Sequence, residues 1–274
     1  MAPVAVIGGH VNRSPNPPPA IGLDELIRAA AQRIRSARRV VAVTGAGLSV
    51  ESGIPSFHAG PGGQIGLWER YDPMEYGTAE AFDRDPSRVW VMLREVGMTL
   101  RGARPNTGHL ALARMESGGY LAALITQNVD GLHQEAGSVQ VIELHGSWRT
   151  LSCIVCAGQV ASDSMSLSSL PPRCRCGGVL RPDVALFGEI IPASVMDAAF
   201  ALARECDCML VVGTSSSVYP AAALPVAARE AGAFIIEVNP HPARSSGLPD
   251  LWLVGAAGVI LPRLVDAIGV GRES

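Results

Sequence analysis

Two rhythms of apolar residues alternate along this chain. Short runs of apolar and β-branched residues occur at 40–44 (VVAVT), 121–126 (LAALIT), 139–146 (VQVIELHG), 208–214 (CMLVVGT), 233–239 (AFIIEVN) and 251–255 (LWLVG). Such runs, closed by glycine or polar residues, predict buried strands. Between them, residues 23–35, 106–115, 193–205, 220–231 and 257–268 carry apolar positions at helical spacing. In 23–35 these are Leu23, Leu26, Ile27, Ala30 and Ile34, with Asp24 and Glu25 in the first turn and arginines near the end, as the helix dipole favours. Strand–helix alternation predicts an α/β fold: a Rossmann-like, mainly parallel sheet with helices on both faces. Residues 59–104 break the rhythm. They open on AGPGGQIG and continue through Trp68, Tyr71, Tyr76, Phe82 and Trp90 with no strand pattern, which predicts a helical insertion over the sheet. Trp68, Tyr71 and Trp90 read as core of that insertion. Residues 1–20, rich in proline and glycine at their end, read as a flexible arm. The expected division is a Rossmann-like domain over 21–58, 105–150 and 181–270, and a small domain made of 59–104 and a cysteine module at 151–180.

Composition narrows the classes. With 274 residues, 48% hydrophobic and 17% charged, the chain can bury a large core. A net charge of −3 gives no reason to expect nucleic acid or an anionic membrane as partner. All 22 basic residues are arginine. No apolar run reaches the ~18 residues of a membrane span, and no basic residue precedes the apolar N-terminus, so a cytoplasmic location is expected.

In such a reducing setting paired cysteines favour metal over disulfide. Cys153 and Cys156 form a C-x-x-C, and Cys174 and Cys176 a C-x-C, in a segment with little apolar material. Four thiolates close a tetrahedral zinc site and leave no open position, so the metal is expected to be structural. Cys206 and Cys208 flank a strand start and read as core. The turn Gly45-Ala46-Gly47 after the first strand, with Ser49 and Ser52 following, suits a phosphate, although glycine there also serves turn geometry alone. Asn128 and Asp130, after the second strand, read either as ligand groups or as caps of the next helix. His145 at the end of the third reads as a site residue or as a histidine satisfied by backbone. His109 and His133 read as structural.

Together, GAGLSVESGIPSF, TQNVDGLH, ELHG, the cysteine pairs, LRPDVALFGE, VVGTSSSVYPAA and IIEVNP, in this order, resemble the sirtuins, NAD-dependent protein deacylases, and bacterial members most closely. The resemblance covers about residues 25–268. It implies NAD as co-substrate, structural Zn2+ and acyl-lysine proteins or peptides as partners. The implied NAD site comprises Gly45, Ala46, Gly47, Ser49, Ser52, Pro55, Phe57, His58, Gln127, Asn128, Asp130, Gly213, Thr214, Ser215, Asn239 and Ala257. His145 is the implied general base, with Asn128 beside it. Val184, Phe187, Gly188 and Glu189 on one side and Ser217, Val218 and Tyr219 on the other would hold the peptide as an added strand. The implied reaction breaks the nicotinamide–ribose bond and moves the acyl group to ADP-ribose, giving 2′-O-acyl-ADP-ribose and free lysine.

Two departures stand out. The family reads GIPDFR or GIPTFR where this chain has GIPSFH, so His58 replaces an arginine and predicts weaker NAD binding or a looser loop, improving as pH falls towards about 6. At the positions where succinyl- and malonyl-removing members carry Tyr and Arg, ungapped matching puts Leu93 and Val96, which predicts a pocket for acetyl or other neutral acyl groups. Competing readings are an ADP-ribosyltransferase or NAD glycohydrolase, and a non-catalytic nucleotide sensor.

Overall fold

The computed structural model describes residues 22–56, 66–241 and 248–270. Its helices are α1 (Leu23–Ser36), α2 (Ala46–Ser49), α3 (Leu67–Arg70), α4 (Pro73–Tyr76), α5 (Ala79–Arg84), α6 (Pro86–Gly102), α7 (Thr107–Ser117), α8 (Leu132–Glu135), α9 (Ala193–Glu205), α10 (Leu224–Glu230) and α11 (Ala257–Ile268). Its strands are β1 (Val40–Thr44), β2 (Ala123–Thr126), β3 (Val141–Glu143), β4 (Gly146–Cys153), β5 (Gln159–Ala161), β6 (Leu180–Val184), β7 (Cys208–Val212), β8 (Phe234–Asn239) and β9 (Leu251–Val254).

Six strands form one parallel sheet in the order β3-β2-β1-β7-β8-β9. Every residue of β1 is buried, and its side chains alternate between faces. Val40 and Ala42 pack with Leu124, Leu210 and Ile236 against Ile27, Ile34, Leu112 and Leu264 of α1, α7 and α11. Val41 and Val43 pack with Ile125, Met209 and Ile235 against Ala199, Ala203 and Leu224 of α9 and α10. Burial on both faces explains why these strands read as continuous apolar runs. Cys206 and Cys208 are buried at the base of β7. The chain leaves β1 towards β2 on one side and returns as β7 on the other, so the order reverses between β1 and β7, where open α/β sheets form a ligand crevice.

A second, antiparallel sheet, β5-β4-β6, was not expected from the sequence. It runs from Gly146 to Val184, past both ends of the cysteine segment. Only some β4 residues are buried, so its apolar signal is weak. Trp148, Leu151 and Leu180 of this sheet share a core with Phe82, Val89, Trp90 and Leu93 of the helical insertion. Trp90 donates from Nε1 to Leu180 O at 2.9 Å and meets Trp148 edge-on at 6.3 Å. The predicted third strand also divides: β3 ends at Glu143, and Gly146 begins β4. Among the described residues no helix is long and apolar enough to cross a membrane. The arm at 1–20, with Phe57 and His58, lies outside the described residues.

Candidate active site and cysteine cluster

The register aligns the C-terminal ends of four strands: Thr44 pairs with Thr126 and Val212, and Val212 with Val238, the residue before the end of β8. The residues that follow, Gly45, Gln127, Gly213 and Asn239, therefore share one end of the sheet, at the crevice. The turns after β1 and β7 abut backbone to backbone. Gly47 donates its N–H to Gly213 O at 2.7 Å, and a Cβ on Gly47 would lie 2.7 Å from that oxygen. Gly213 has φ +59, and a Cβ there would meet Leu48 N at 2.4 Å. Glycine is thus required for the close approach of the two turns. Asn239 Nδ2 donates to Thr214 O at 2.9 Å, and Gln127 Nε2 to Thr214 Oγ1 at 2.9 Å, joining the turn to its neighbours. The N–H groups of Ala46, Thr214 and Ser215 have no partner among the described residues. Small side chains and free N–H groups beside a switch point suit a dinucleotide's phosphates.

Below this floor lies a directional network. Asn106 N–H donates to His109 Nδ1 at 3.3 Å, so the proton sits on Nε2, which faces Ser49 Oγ at 3.5 Å. Asn128 Nδ2 also donates to Ser49 Oγ (3.1 Å) and to Gly45 O (3.1 Å). Ser49 in turn donates to Asp130 Oδ2 at 2.7 Å. Asp130 Oδ1 accepts from Leu132 N–H, the first residue of α8, at 2.9 Å, so this carboxylate both holds the start of that helix and joins the site network. Asn106, which caps α7, reaches Leu48 O (2.7 Å) and Ser52 Oγ (2.9 Å) and ties the turn after β1 to α7. His133 Nε2 and Thr44 Oγ1 lie 2.9 Å apart, and Thr44 donates to Thr126. Burial drives His109 down to about 4, against the opposing pull of Asp130, and His133 down to about 3, so both are neutral near pH 7. Sequence reasoning left Thr44, Thr126 and Asn106 out of the site. Threonines closing two buried strands, and an asparagine opening a helix, are the signals that mark them.

His145 stands at the joint between the two sheets. Gly146 has φ +76, and a Cβ there would lie 2.0 Å from Asp183 O, so only glycine lets the chain pass from β3 into β4 against β6. His145 Nδ1 lies 2.9 Å from Gln127 O. A carbonyl only accepts, so Nδ1 carries the proton and Nε2 keeps a free lone pair. Burial holds this imidazole below its usual 6.5, while the Gln127 carbonyl pulls the other way. A neutral imidazole with one free nitrogen can accept a proton at neutral pH.

Val184 ends β6, and Phe187, Gly188 and Glu189 follow it, tied to the joint by the Ala185 N–H bond to His145 O at 2.9 Å. Phe187 is exposed and leans on Trp68 at 5.8 Å. Ser217 is linked to Ser215 (Oγ–Oγ 2.6 Å) in the loop after β7, with Val218 next to it and Tyr219 exposed. Leu93 is buried in the third core and Val96 packs on its edge. Pro55 is half-buried, and Ala257 is buried at the start of α11.

The four cysteines converge. Sγ of Cys153, Cys156, Cys174 and Cys176 all lie within 4.8 Å of one another, with Cys153–Cys176 at 3.5 Å and Cys156–Cys174 at 3.7 Å. Zinc–sulfur bonds of about 2.3 Å imply tetrahedral edges of about 3.8 Å, so the donor set fits zinc. Backbone N–H groups of Cys156 and Val155 pull the Cys153 thiol down to about 6, while, against the pull of the Gly178 N–H, the neighbouring Cys156 and Cys153 sulfurs push Cys176 up to about 12.

The model of the Sir2 family matches residues 45–220. The chain belongs to the Sir2 family. NAD-dependent protein deacylase 2 of Pyrobaculum aerophilum is 49% identical over 240 residues, 87% of this chain and 94% of that protein. NAD-dependent protein deacylase 1 of Pseudomonas aeruginosa is 43% identical over 247 residues, 87% of this chain and 98% of that protein. Among solved Sir2 structures, a Sir2 homologue–NAD complex is 40% identical, with TM-score 0.79 over 88% of this chain and 93% of that one. Sir2 with a deacetylated p53 peptide and 3′-O-acetyl ADP-ribose is 30% identical, with TM-score 0.84 over 89% and 99%.

Proposed function

We propose that the crevice between β1 and β7 is the site of NAD-dependent lysine deacylation, with His145 Nε2 as its general base. The chain is an NAD-dependent protein deacylase of the Sir2 family. The observation that carries the assignment of roles is the Nδ1 contact of His145 with the Gln127 carbonyl, which leaves Nε2 free to accept a proton. Bound NAD supplies the glycosidic bond whose cleavage yields an ADP-ribosyl acceptor for the acyl group. The turns 45–47 and 213–215, with Gln127 and Asn239, would hold its phosphates and adenosine side. Asn128 and Asp130, fixed through Ser49, would line the nicotinamide pocket. His145 would take a proton from a ribose hydroxyl, making it a nucleophile towards the acyl carbon. Val184 and Phe187–Glu189, opposite Ser217–Tyr219, would seat the peptide. Leu93 and Val96 carry no charge to pair with an acidic acyl group, which supports acetyl and other neutral acyl groups as substrates. The helical insertion and the cysteine-bearing sheet, joined by one core, would form the small domain, and the cysteines would hold structural zinc.

The test is mass spectrometry of products from NAD and a panel of acyl-lysine peptides. Wild type should yield nicotinamide and O-acyl-ADP-ribose, with acetyl exceeding succinyl. His145→Ala should lower deacylation by about 10²–10⁴-fold, the usual contribution of a general base. Free ADP-ribose or an ADP-ribosylated protein as the main product would refute the reading.

A further inference from the structure

Glu189 belongs to the loop expected to touch a peptide, yet its carboxylate faces inward. Arg181 Nη1 donates to Oε1 and Nη2 to Oε2, both at 2.6 Å, in a two-pronged pair. Oε2 also accepts the Leu186 N–H at 2.8 Å, and Arg181 Nη2 reaches Val184 O at 3.0 Å. The guanidinium lies over the Phe82 ring at 5.6 Å, which anchors it to the helical insertion. Both side chains are about a quarter exposed (24% and 25%), so the pair is partly shielded from water.

The backbone around this pair is nearly used up. Ala185 N–H goes to His145 O, Glu189 N–H to Leu186 O (3.1 Å), Phe187 N–H to Gly77 O (2.9 Å), and Ala79 N–H to Phe187 O (3.0 Å). Gly188 is exposed, with φ +87, and neither its N–H nor its C=O has a partner among the described residues. An added strand needs free main-chain groups at its edge, and between Leu186 and Glu189 only Gly188 offers both.

We propose that Arg181 and Glu189 are a positioning pair for the peptide substrate: they lock the Leu186–Glu189 turn so that Gly188 presents its N–H and C=O to the incoming main chain. Neither side chain is among the residues proposed to hold NAD or the acyl group. It sets the shape of the groove from behind. The inference rests on the deacylase reading for the identity of the ligand, an acyl-lysine peptide.

Steady-state kinetics and calorimetric binding of an acetyl-lysine peptide test it, using the full zinc-loaded chain. Glu189→Gln and Arg181→Met should each raise the peptide KM and Kd about tenfold, while kcat at saturating peptide and the NAD KM stay within about twofold. The double variant should be no worse than the poorer single one, because both remove the same pair. Arg181→Lys, which keeps the charge but loses the fork, should fall between, and it serves if Arg181→Met does not fold. Three results would overturn the proposal: unchanged peptide KM in the single variants, a Glu189→Gln effect that persists undiminished in the Arg181→Met background, or a fall in kcat and Tm with KM untouched. Absence of O-acyl-ADP-ribose from wild type would instead overturn the deacylase reading, and peptide calorimetry would still decide the role of the pair.

Discussion

The six-stranded and three-stranded sheets meet at His145 and Gly146 but are held together by different means. The first is sandwiched between two apolar clusters, one per face, built from strands and helices that interleave along the chain. The second has one apolar face, shared with the insertion, and at its far end the four cysteines stand where a core would be. Around them Ile154 and Val155 are exposed at 56% and 73%. The large half can order itself by burial alone. On the proposed reading zinc is the ligand of the four thiolates, and the groove between the two sheets would depend on it.

Metal removal should therefore separate the halves, with the largest effect expected here. Structural zinc contributes free energy that is large beside a domain's net stability of about 5–15 kcal/mol. Stripping zinc with a strong chelator, or substituting Cys176→Ser, should expose the amides of β4–β6 to hydrogen exchange while those of β1, β7 and β8 stay protected. Deacylation should fall with them. A metal-free chain that protects both sheets equally would break the comparison.

The large half has its own weak point, which is acid. His109 and His133 are neutral in the fold, held down to about 4 and about 3 by burial, whereas an unfolded histidine titrates near 6.5. Above pH 6.5 neither state binds these protons, and nothing is lost. As pH falls from 6.5 towards 4, the unfolded chain takes them up and the native one does not. Stability then declines by up to about 1.4 kcal/mol per pH unit for each histidine. Urea unfolding at pH 7.5 and pH 5 should show this decline, and a shallower one in His133→Gln. Both proteins keep all four cysteines, so acid loss of zinc cancels in the difference. Identical slopes would remove the histidines from the account.

The sequence signals divide along the same line as the halves. Doubly buried strands announce themselves, and β1, β7 and β8 fall within the predicted runs, as α9 and α11 do within the predicted helices. The strand β4 was illegible because it is buried on one side only and its partner β6 lies beyond the cysteine segment. The cysteine cluster was legible because chelation is a local constraint that leaves its spacing in the chain. The His145 motif showed a polar group at a strand end, but the need for Gly146 comes from Asp183 O, a contact no local pattern encodes. The same holds for Arg181 and Glu189. Arg181 lies in β6 and Glu189 beyond the strand's end, so their meeting depends on the turn between them, which no local pattern encodes.

The smallest predicted effect probes how tightly the small half packs where it has a core. Gly97 lies inside α6, and a Cβ there would come within 2.2 Å of Trp148 Cζ2. Trp148 is only 4% exposed and is fixed edge-on against Trp90, so it has little room to withdraw. Alanine is favoured over glycine inside a helix by about 1 kcal/mol, but forcing a methyl into a packed core costs about 1–3 kcal/mol. Gly97→Ala should thus destabilise the chain by up to about 2 kcal/mol, seen as faster exchange in β4 and β6 and not in β1. Gly102, the last residue of the same helix, has nothing within 4 Å of its would-be Cβ. Gly102→Ala should have the opposite sign, a gain of a few tenths of a kcal/mol. If both substitutions stabilise, Trp148 is free to move and the shared core is looser than its burial implies.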